Sequence, residues 1–416
     1  MRGFFAGSEL LDTKAPASLL PKCGACGLYK GCKTPKMRPS GEGRKRILIV
    51  GEAPGANEDD EGIQFVDKAG RYLEDALDHI GIDLRKDCWT TNALICRPPD
   101  NKISDKRAVD YCRPNLITTI ERLQPASIVL LGGTPVQSLI GHVWKEAPGA
   151  ITRWVGWNIP CQKPNVWISP TYHPSYLMRM HSKVMDRDFV RHLEKACSYR
   201  EVPWEQVPDY ESQIEVLLDT DEAAAVLRKM EQKGGAIAFD YENNCLKPET
   251  PGGEIVCASA CWRGRKTIAY PWHGAAIEAT FDLLHSERCY HIASNLKHEE
   301  RWTRKVSGRP VQNWLWDTML AAHVIDNRKG ICGLKFQAFA HLGAEAYDEH
   351  IKQFLESQAG SVLNRVREEV ELRQLLLYCG TDTLLEYLLA EKQMAKLRID
   401  PLPTWYVNES SLHGTT

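Results

Sequence analysis

The chain has 416 residues, 43% of them hydrophobic and 25% charged, with a formal net charge of −2. That length exceeds one ordinary core and points to two domains, while the near-neutral charge excludes binding of nucleic acid by bulk positive charge. No apolar run is long enough to span a membrane and the opening MRGFFAGSELLDTK has no signal-peptide core, so a cytoplasmic protein without a membrane partner is expected.

Fourteen cysteines in a reducing compartment point to metal ligation or free buried thiols rather than disulfides. Cys23 and Cys26 come first, as a C-x2-C pair offering two thiolates from one tight turn. Around them, from Lys22 to Arg46, eight Lys/Arg stand against Glu42 alone. This basic stripe suits either phosphate contact or a solvated loop. Apolar runs at 46–52, 89–95, 127–133 and 165–169 read as strands, and helical patterns at 67–80, 104–123, 134–142 and 182–199 lie between them. Such alternation argues for an α/β domain with a parallel sheet, whose ligand site lies at the carboxyl ends of its strands. Glu52, Asn92 and His173 stand at those ends. Cys96 and Cys112 supply two further thiolates, completing a quartet whose spacing fits zinc or an iron–sulfur centre. Cys32 reads as a spare thiol.

Residues 201–212 are aperiodic and carry two prolines, a linker between domains at 1–200 and 213–396. The second pattern opens with a helix at 221–233, capped by Thr220, and a strand at 236–242. Strands near 254–261 and 266–270, a helix at 275–286 and a strand at 289–294 follow. Helices then run to about 396, before a poorly ordered tail at 397–416. A mixed sheet packed by helices is expected. Asp240 and Glu242, two apart on a strand, share a face and suit a hard divalent cation. Asp317, an acid before Thr at a helix start, reads as an N-cap.

GEAPG at 51–55, EDDEGIQFVDKAGRYL, TTNALICRPPDN and SPTYHPSYLMR, with the four cysteines in family spacing, resemble the family 4 uracil-DNA glycosylases over roughly residues 20–200. The resemblance implies a three-layer α/β/α fold and a [4Fe–4S] cluster on Cys23, Cys26, Cys96 and Cys112. It implies an extruded uracil stacked on Phe65 and read at its edge by Asn92. His173 would donate to the departing base anion, and Glu52 would position water and stabilise the cationic sugar. Glu58 would exclude the thymine methyl, and Tyr176, Leu177 and Arg179 would enter the helix and fill the gap.

FDYEN at 239–243, HIASNLKHEERW at 291–302 and YCGTDTLLEYLL at 378–389 resemble the three motifs of tyrosine-type DEDD exonucleases, and most nearly the proofreading domain of family A DNA polymerases. The resemblance covers roughly 213–395 and implies a ribonuclease-H-like α/β fold. Asp240, Glu242 and Asp382 would hold Mg2+ or Mn2+, and Tyr378 would orient the attacking water. Asn295 accompanies the middle motif, whose usual aspartate is Glu299 here, a carboxylate one methylene longer. The expected protein is a DNA enzyme joining uracil excision to 3′→5′ trimming, acting on single- or double-stranded DNA and its 3′ ends. The alternatives are that one site alone works, or that the chain is a recruitment module of a DNA polymerase. Phage polymerases of this family sometimes carry both domains ahead of the polymerase, so a free-standing relative and the front of a longer protein both fit.

Overall fold

The computed structural model describes residues 20–144, 147–162, 165–201, 207–263, 266–357 and 360–399. The chain divides into two compact units, Met1–Gln206 and Val207–Thr416. Both are α/β. Among the described residues no helix is long and apolar enough to cross a membrane.

In the first unit the apolar runs become β1 (Ile47–Gly51), β2 (Cys88–Asn92), β3 (Ser127–Leu131) and β5 (Val166–Thr171), with a short β4 (Ile159–Cys161) beside the last. The order is β2-β1-β3-β5-β4, parallel throughout except for β4. Strand β4 is too short for a readable period, and its Pro160 sits where proline is tolerated, on an edge. The helices are α1 (Cys23–Cys26), α2 (Ala56–Glu61), α3 (Lys68–Asp78), α4 (Arg107–Leu123), α5 (Gly133–Val143), α6 (Pro174–Met180) and α7 (Lys183–Ser198). Ile47, Ile49, Val129 and Leu131 pack with Leu73, Leu77, Leu177 and Phe189 of α3, α6 and α7. The alternate residues Leu48, Val50, Ile128 and Leu130 are fully buried too. A sheet covered on both faces explains why its strands read as unbroken apolar runs. Strands β1 and β2 end level, Gly51 opposite Asn92.

The second unit holds a six-stranded mixed sheet: β6 (Ile214–Val216), β7 (Gly235–Asn243), β8 (Ile255–Trp262), β9 (Lys266–Pro271), β10 (Cys289–Ala293) and β11 (Trp314–Asp317), in the order β11-β10-β7-β8-β9-β6. Strand β8 runs antiparallel to both β7 and β9, whereas β10 runs parallel to β7. Its helices are α8 (Thr220–Lys233), α9 (Ala275–Leu284), α10 (Lys297–Ser307), α11 (Thr318–Ile325), α12 (Leu334–Leu342), the short α13 (Lys352–Leu355) and α14 (Val366–Glu369), and the long α15 (Leu372–Lys396). Phe239 and Tyr241 of β7 pack in one core with Leu227, Met230, Ala279 and Leu283 of α8 and α9. The period of two then turns Asp240 and Glu242 to the opposite face, where α15 lies.

Two expectations change. Helix α8 is capped by Asp219, which accepts from Asp221 N and Glu222 N at 2.8 and 3.4 Å, and Thr220 is the first helical residue. A carboxylate at the positive end of the helix dipole serves better than a hydroxyl. In the expected linker, residues 202–206 lie outside the described residues. Val207 and Tyr210 are buried, and Tyr210 Oη donates to Leu342 O at 2.9 Å, so this stretch packs as part of the second unit. Residues 400–416 of the expected tail also lie outside the described residues.

Candidate active sites

At the carboxyl ends of β1, β2 and β5 lies a cavity of ≈ 410 Å³ whose lining includes Glu52, Glu58, Phe65, Asn92, His173 and Arg179. Three chain segments, at the ends of β1, β2 and β5, deliver these side chains, and Gly51 is what lets two of them meet. A Cβ there would overlap Asn92 Oδ1 and stand 2.9 Å from Phe65 Cζ. Asn92 is 3% exposed and its Nδ2 has no hydrogen-bond partner. A buried donor without a partner is costly, so an amide held this way is poised for a ligand's acceptor. Phe65 adopts a left-handed φ of +57°. Its N–H donates to Glu58, and its carbonyl accepts from Arg85 Nη2 at 2.7 Å.

Glu58 also accepts from Gly55 N at 2.6 Å. Burial pushes its carboxyl above the usual range, against the pull of those two N–H groups. Both oxygens are engaged, so Glu58 ties the loop that presents Phe65 while lining the cavity. Its neighbour Asp59 is 1% exposed and accepts from Lys33 N and Thr34 N at 3.0 and 2.9 Å. The acidic run therefore fixes two loops. Within the basic stripe, Lys33 pairs with Asp60, Lys45 with Asp87 and Arg44 with Glu42.

Glu52 is exposed at the end of β1 and accepts from Thr134 Oγ1 at 2.9 Å. His173 caps α6, its Nδ1 accepting from Ser175 N at 3.2 Å, which leaves the ring proton on Nε2. Burial lowers its pKa and outweighs the opposing Glu52 charge, so the ring is neutral. Tyr176 and Arg179 are exposed on α6, and Tyr176 stacks on Tyr172 with centroids 5.7 Å apart. Leu177 corrects the sequence expectation. It is 1% exposed and packs in the core beneath the sheet, a burial worth about 1.5–3 kcal/mol. In this structure it is therefore not presented to a DNA helix. Met180, four residues after Tyr176 on the same helical face, is 48% exposed in its stead.

Cys23, Cys26, Cys96 and Cys112 line one small pocket, joined by Leu28, Leu94 and Ile95. Cys96 Sγ accepts from Lys36 N at 3.3 Å, and Cys112 Sγ from Asn115 Nδ2 at 3.5 Å. Donors aimed at sulfur suit thiolate ligands. As bare thiols Cys96 and Cys112 are poorly placed to ionise, since burial pushes both up, Cys96 to about 12. Four thiolate donors lining one apolar pocket suit a thiolate-held metal centre, zinc or iron–sulfur. Cys32 donates to Leu28 O and Arg97 O at 3.2 and 3.6 Å, outside that lining.

In the second unit Asp240, Glu242 and Cys379 bring ligand atoms within 4.8 Å of one another. Asp382 and Tyr378 lie one turn apart on α15, and Asp382 accepts from Tyr347 Oη. Glu299, in the first turn of α10, is 3% exposed. Burial, then mutual negative charge, pushes Asp240, Glu242 and Glu299 far above ordinary carboxylates. Asp382 is raised by burial, with Lys335 opposing. Hard oxygen donors whose charge is poorly compensated fit Mg2+ or Mn2+. Asp317 caps α11 as expected, through Met319 N and Leu320 N, and also accepts from Asn295 N and Leu296 N at 3.1 Å. That clamp holds exposed Asn295 at a φ of +67°. Sequence reasoning missed Tyr347, Lys335, Cys379 and Glu386; only Glu386, one turn beyond Asp382, carried a helical-spacing signal.

The model of the uracil DNA glycosylase superfamily matches residues 39–205. A type-4 uracil-DNA glycosylase of Pyrobaculum aerophilum is 38% identical over 137 residues, 33% of this chain and 69% of the relative. One from Thermotoga maritima is 34% identical over 183 residues, 43% of this chain and 89% of the relative. Among solved structures, Escherichia coli RNase D aligns with 48% of this chain and 49% of its own, at 13% identity and a TM-score of 0.35. With the Asn92 pocket inside the matched residues and relatives of this identity covered over more than two thirds of their length, the chain belongs to the type-4 uracil-DNA glycosylases of that superfamily.

Proposed function

We propose that the first unit removes uracil from DNA by hydrolysing its N-glycosidic bond. The orphan Asn92 amide carries this reading: a buried donor beside its own acceptor oxygen matches the O4 and N3–H edge of uracil and mismatches the amino group of cytosine. The names of the relatives point to the same activity. The base, extruded from the stack, lies against Phe65, whose loop Glu58 and Arg85 hold rigid. As the glycosidic bond lengthens, negative charge grows on the uracil carbonyl and positive charge on the sugar. His173 donates from Nε2 to the anion, and Glu52 stabilises the cation and orients water. Tyr176, Arg179 and Met180 face the duplex. Cys23, Cys26, Cys96 and Cys112 would hold a [4Fe–4S] cluster, which staples the strand end carrying Asn92 and supplies no redox step.

For the second unit we propose metal-dependent 3′→5′ trimming of DNA. The convergence of Asp240 and Glu242 within 4.8 Å, with Asp382 and Glu299 alongside, supports it. When bound, divalent cations supply charge stabilisation to the attacking and leaving oxygens of a phosphodiester. The carboxylates hold those ions, and Tyr378 orients the attacking water. The test is a uracil-containing oligonucleotide assayed with magnesium and with chelator. Abasic sites should form in both, and loss in His173→Ala and Asn92→Ala is expected. Trimming should appear only with magnesium. Tight binding of uracil DNA without excision would refute the first reading, and trimming that survives Asp240→Ala would refute the second.

A further inference from the structure

Glu386 lies within the segment YCGTDTLLEYLL but takes no part in the motif pattern, yet it sits inside the second site. On α15 it lies one turn beyond Asp382, so the two share a face. It is 3% exposed. One oxygen accepts from Ser294 N at 3.1 Å, at the end of β10, while the other is buried without a partner. Glu299 presents the same feature from the first turn of α10: 3% exposed, with Oε2 buried and unpartnered. Each feels the charge of Asp240, and Glu386 feels that of Glu299 as well. Two orphaned carboxylate oxygens from different helices thus face one acidic centre. A buried carboxylate without compensation is costly, and a divalent cation is the compensation that oxygen donors of this kind take.

We propose that Glu386 is a fifth cation-holding carboxylate of this site and shares an ion with Glu299. The inference rests on the metal-dependent reading of the second unit. It also gives the Glu299 departure a structural sense: the longer arm from α10 reaches toward an acid that α15 supplies. The Ser294 bond fixes one Glu386 oxygen and leaves the other to the ion, as outer hydrogen bonds orient carboxylate ligands elsewhere.

The test is Mn2+ titration of the full chain, followed by the spectrum of the free ion. Wild type, Asp240→Asn and Glu386→Gln are compared; glutamine keeps an acceptor for Ser294 N–H. We expect Glu386→Gln to weaken Mn2+ binding at least tenfold or to lose one of the bound ions. Metal-free Glu386→Gln should melt no lower than wild type, since it removes a repelled charge. If Asp240→Asn loses Mn2+ while Glu386→Gln binds as wild type does, Glu386 merely anchors Ser294 and the inference falls. A lower metal-free melting temperature in Glu386→Gln overturns it equally. Absence of Mn2+ binding in wild type refutes the metal-dependent reading itself.

Discussion

An alanine at position 51 probes the Asn92 pocket without replacing any group proposed to meet the base. Its Cβ would overlap Asn92 Oδ1 and stand 2.9 Å from Phe65 Cζ and 3.3 Å from Cε1. Phe65 has little freedom to yield, because its N–H is held by Glu58, its carbonyl by Arg85, and its φ is +57°. Asn92 ends a strand whose register is fixed by β1. The Asn92 amide must therefore swing away from the plane of the base. A misplacement of about 1 Å costs about 100-fold in rate, equal to about 2.7 kcal/mol at 1.36 per decade. Overpacking itself costs about 1–3 kcal/mol of stability, which leaves the unit folded. Single-turnover excision from a uracil oligonucleotide, with circular dichroism as control, measures the effect. A folded Gly51→Ala protein excising within threefold of wild type would refute the close approach on which the pocket is built.

Asp240→Asn should abolish magnesium-dependent trimming and leave uracil excision unchanged, read on one labelled oligonucleotide in both buffers. Cys112→Ser should lose visible absorption and melt at lower temperature, and a colourless wild type carrying zinc by elemental analysis would contradict the cluster. His291 is fully buried, which pushes its pKa down to about 4 from the ordinary 6.5. The unfolded chain protonates this ring first, so stability is lost as pH falls from 6.5 towards 4, by about 3 kcal/mol at 1.36 per unit. In His291→Phe that acid-linked loss should shrink by this amount, followed through hydrogen exchange of β10 amides between pH 7 and 4.

The residues that meet at the Asn92 pocket were legible because each ends a strand or sits in a motif, and parallel strands deliver their ends to one edge. Glu58 and Phe65 were legible as residues but not in their relation, since a backbone N–H donating to a side chain seven positions away leaves no periodic trace. Arg85, which holds the Phe65 carbonyl, is invisible for the same reason. Leu177 was misplaced by treating α6 as a uniform wedge. Its neighbours Tyr176 and Met180 share the outer face, and a helix turns the residue between them inward. In the second unit the strand period put Asp240 and Glu242 on one face, whereas Tyr378 and Asp382 came from the resemblance, one helical turn apart. Tyr347 and Lys335 come from a loop and a helix whose place beside Asp382 depends on tertiary packing alone.

The most direct measurement is release of free uracil base from a single-uracil oligonucleotide by the full chain in excess chelator. Chelation removes the cations that the proposed trimming requires, which leaves glycosidic hydrolysis as the route to free base. The account predicts stoichiometric free uracil with an intact but abasic strand, and none from the matching cytosine or thymine strands. No free uracil, or uracil leaving only as a nucleotide, would contradict it.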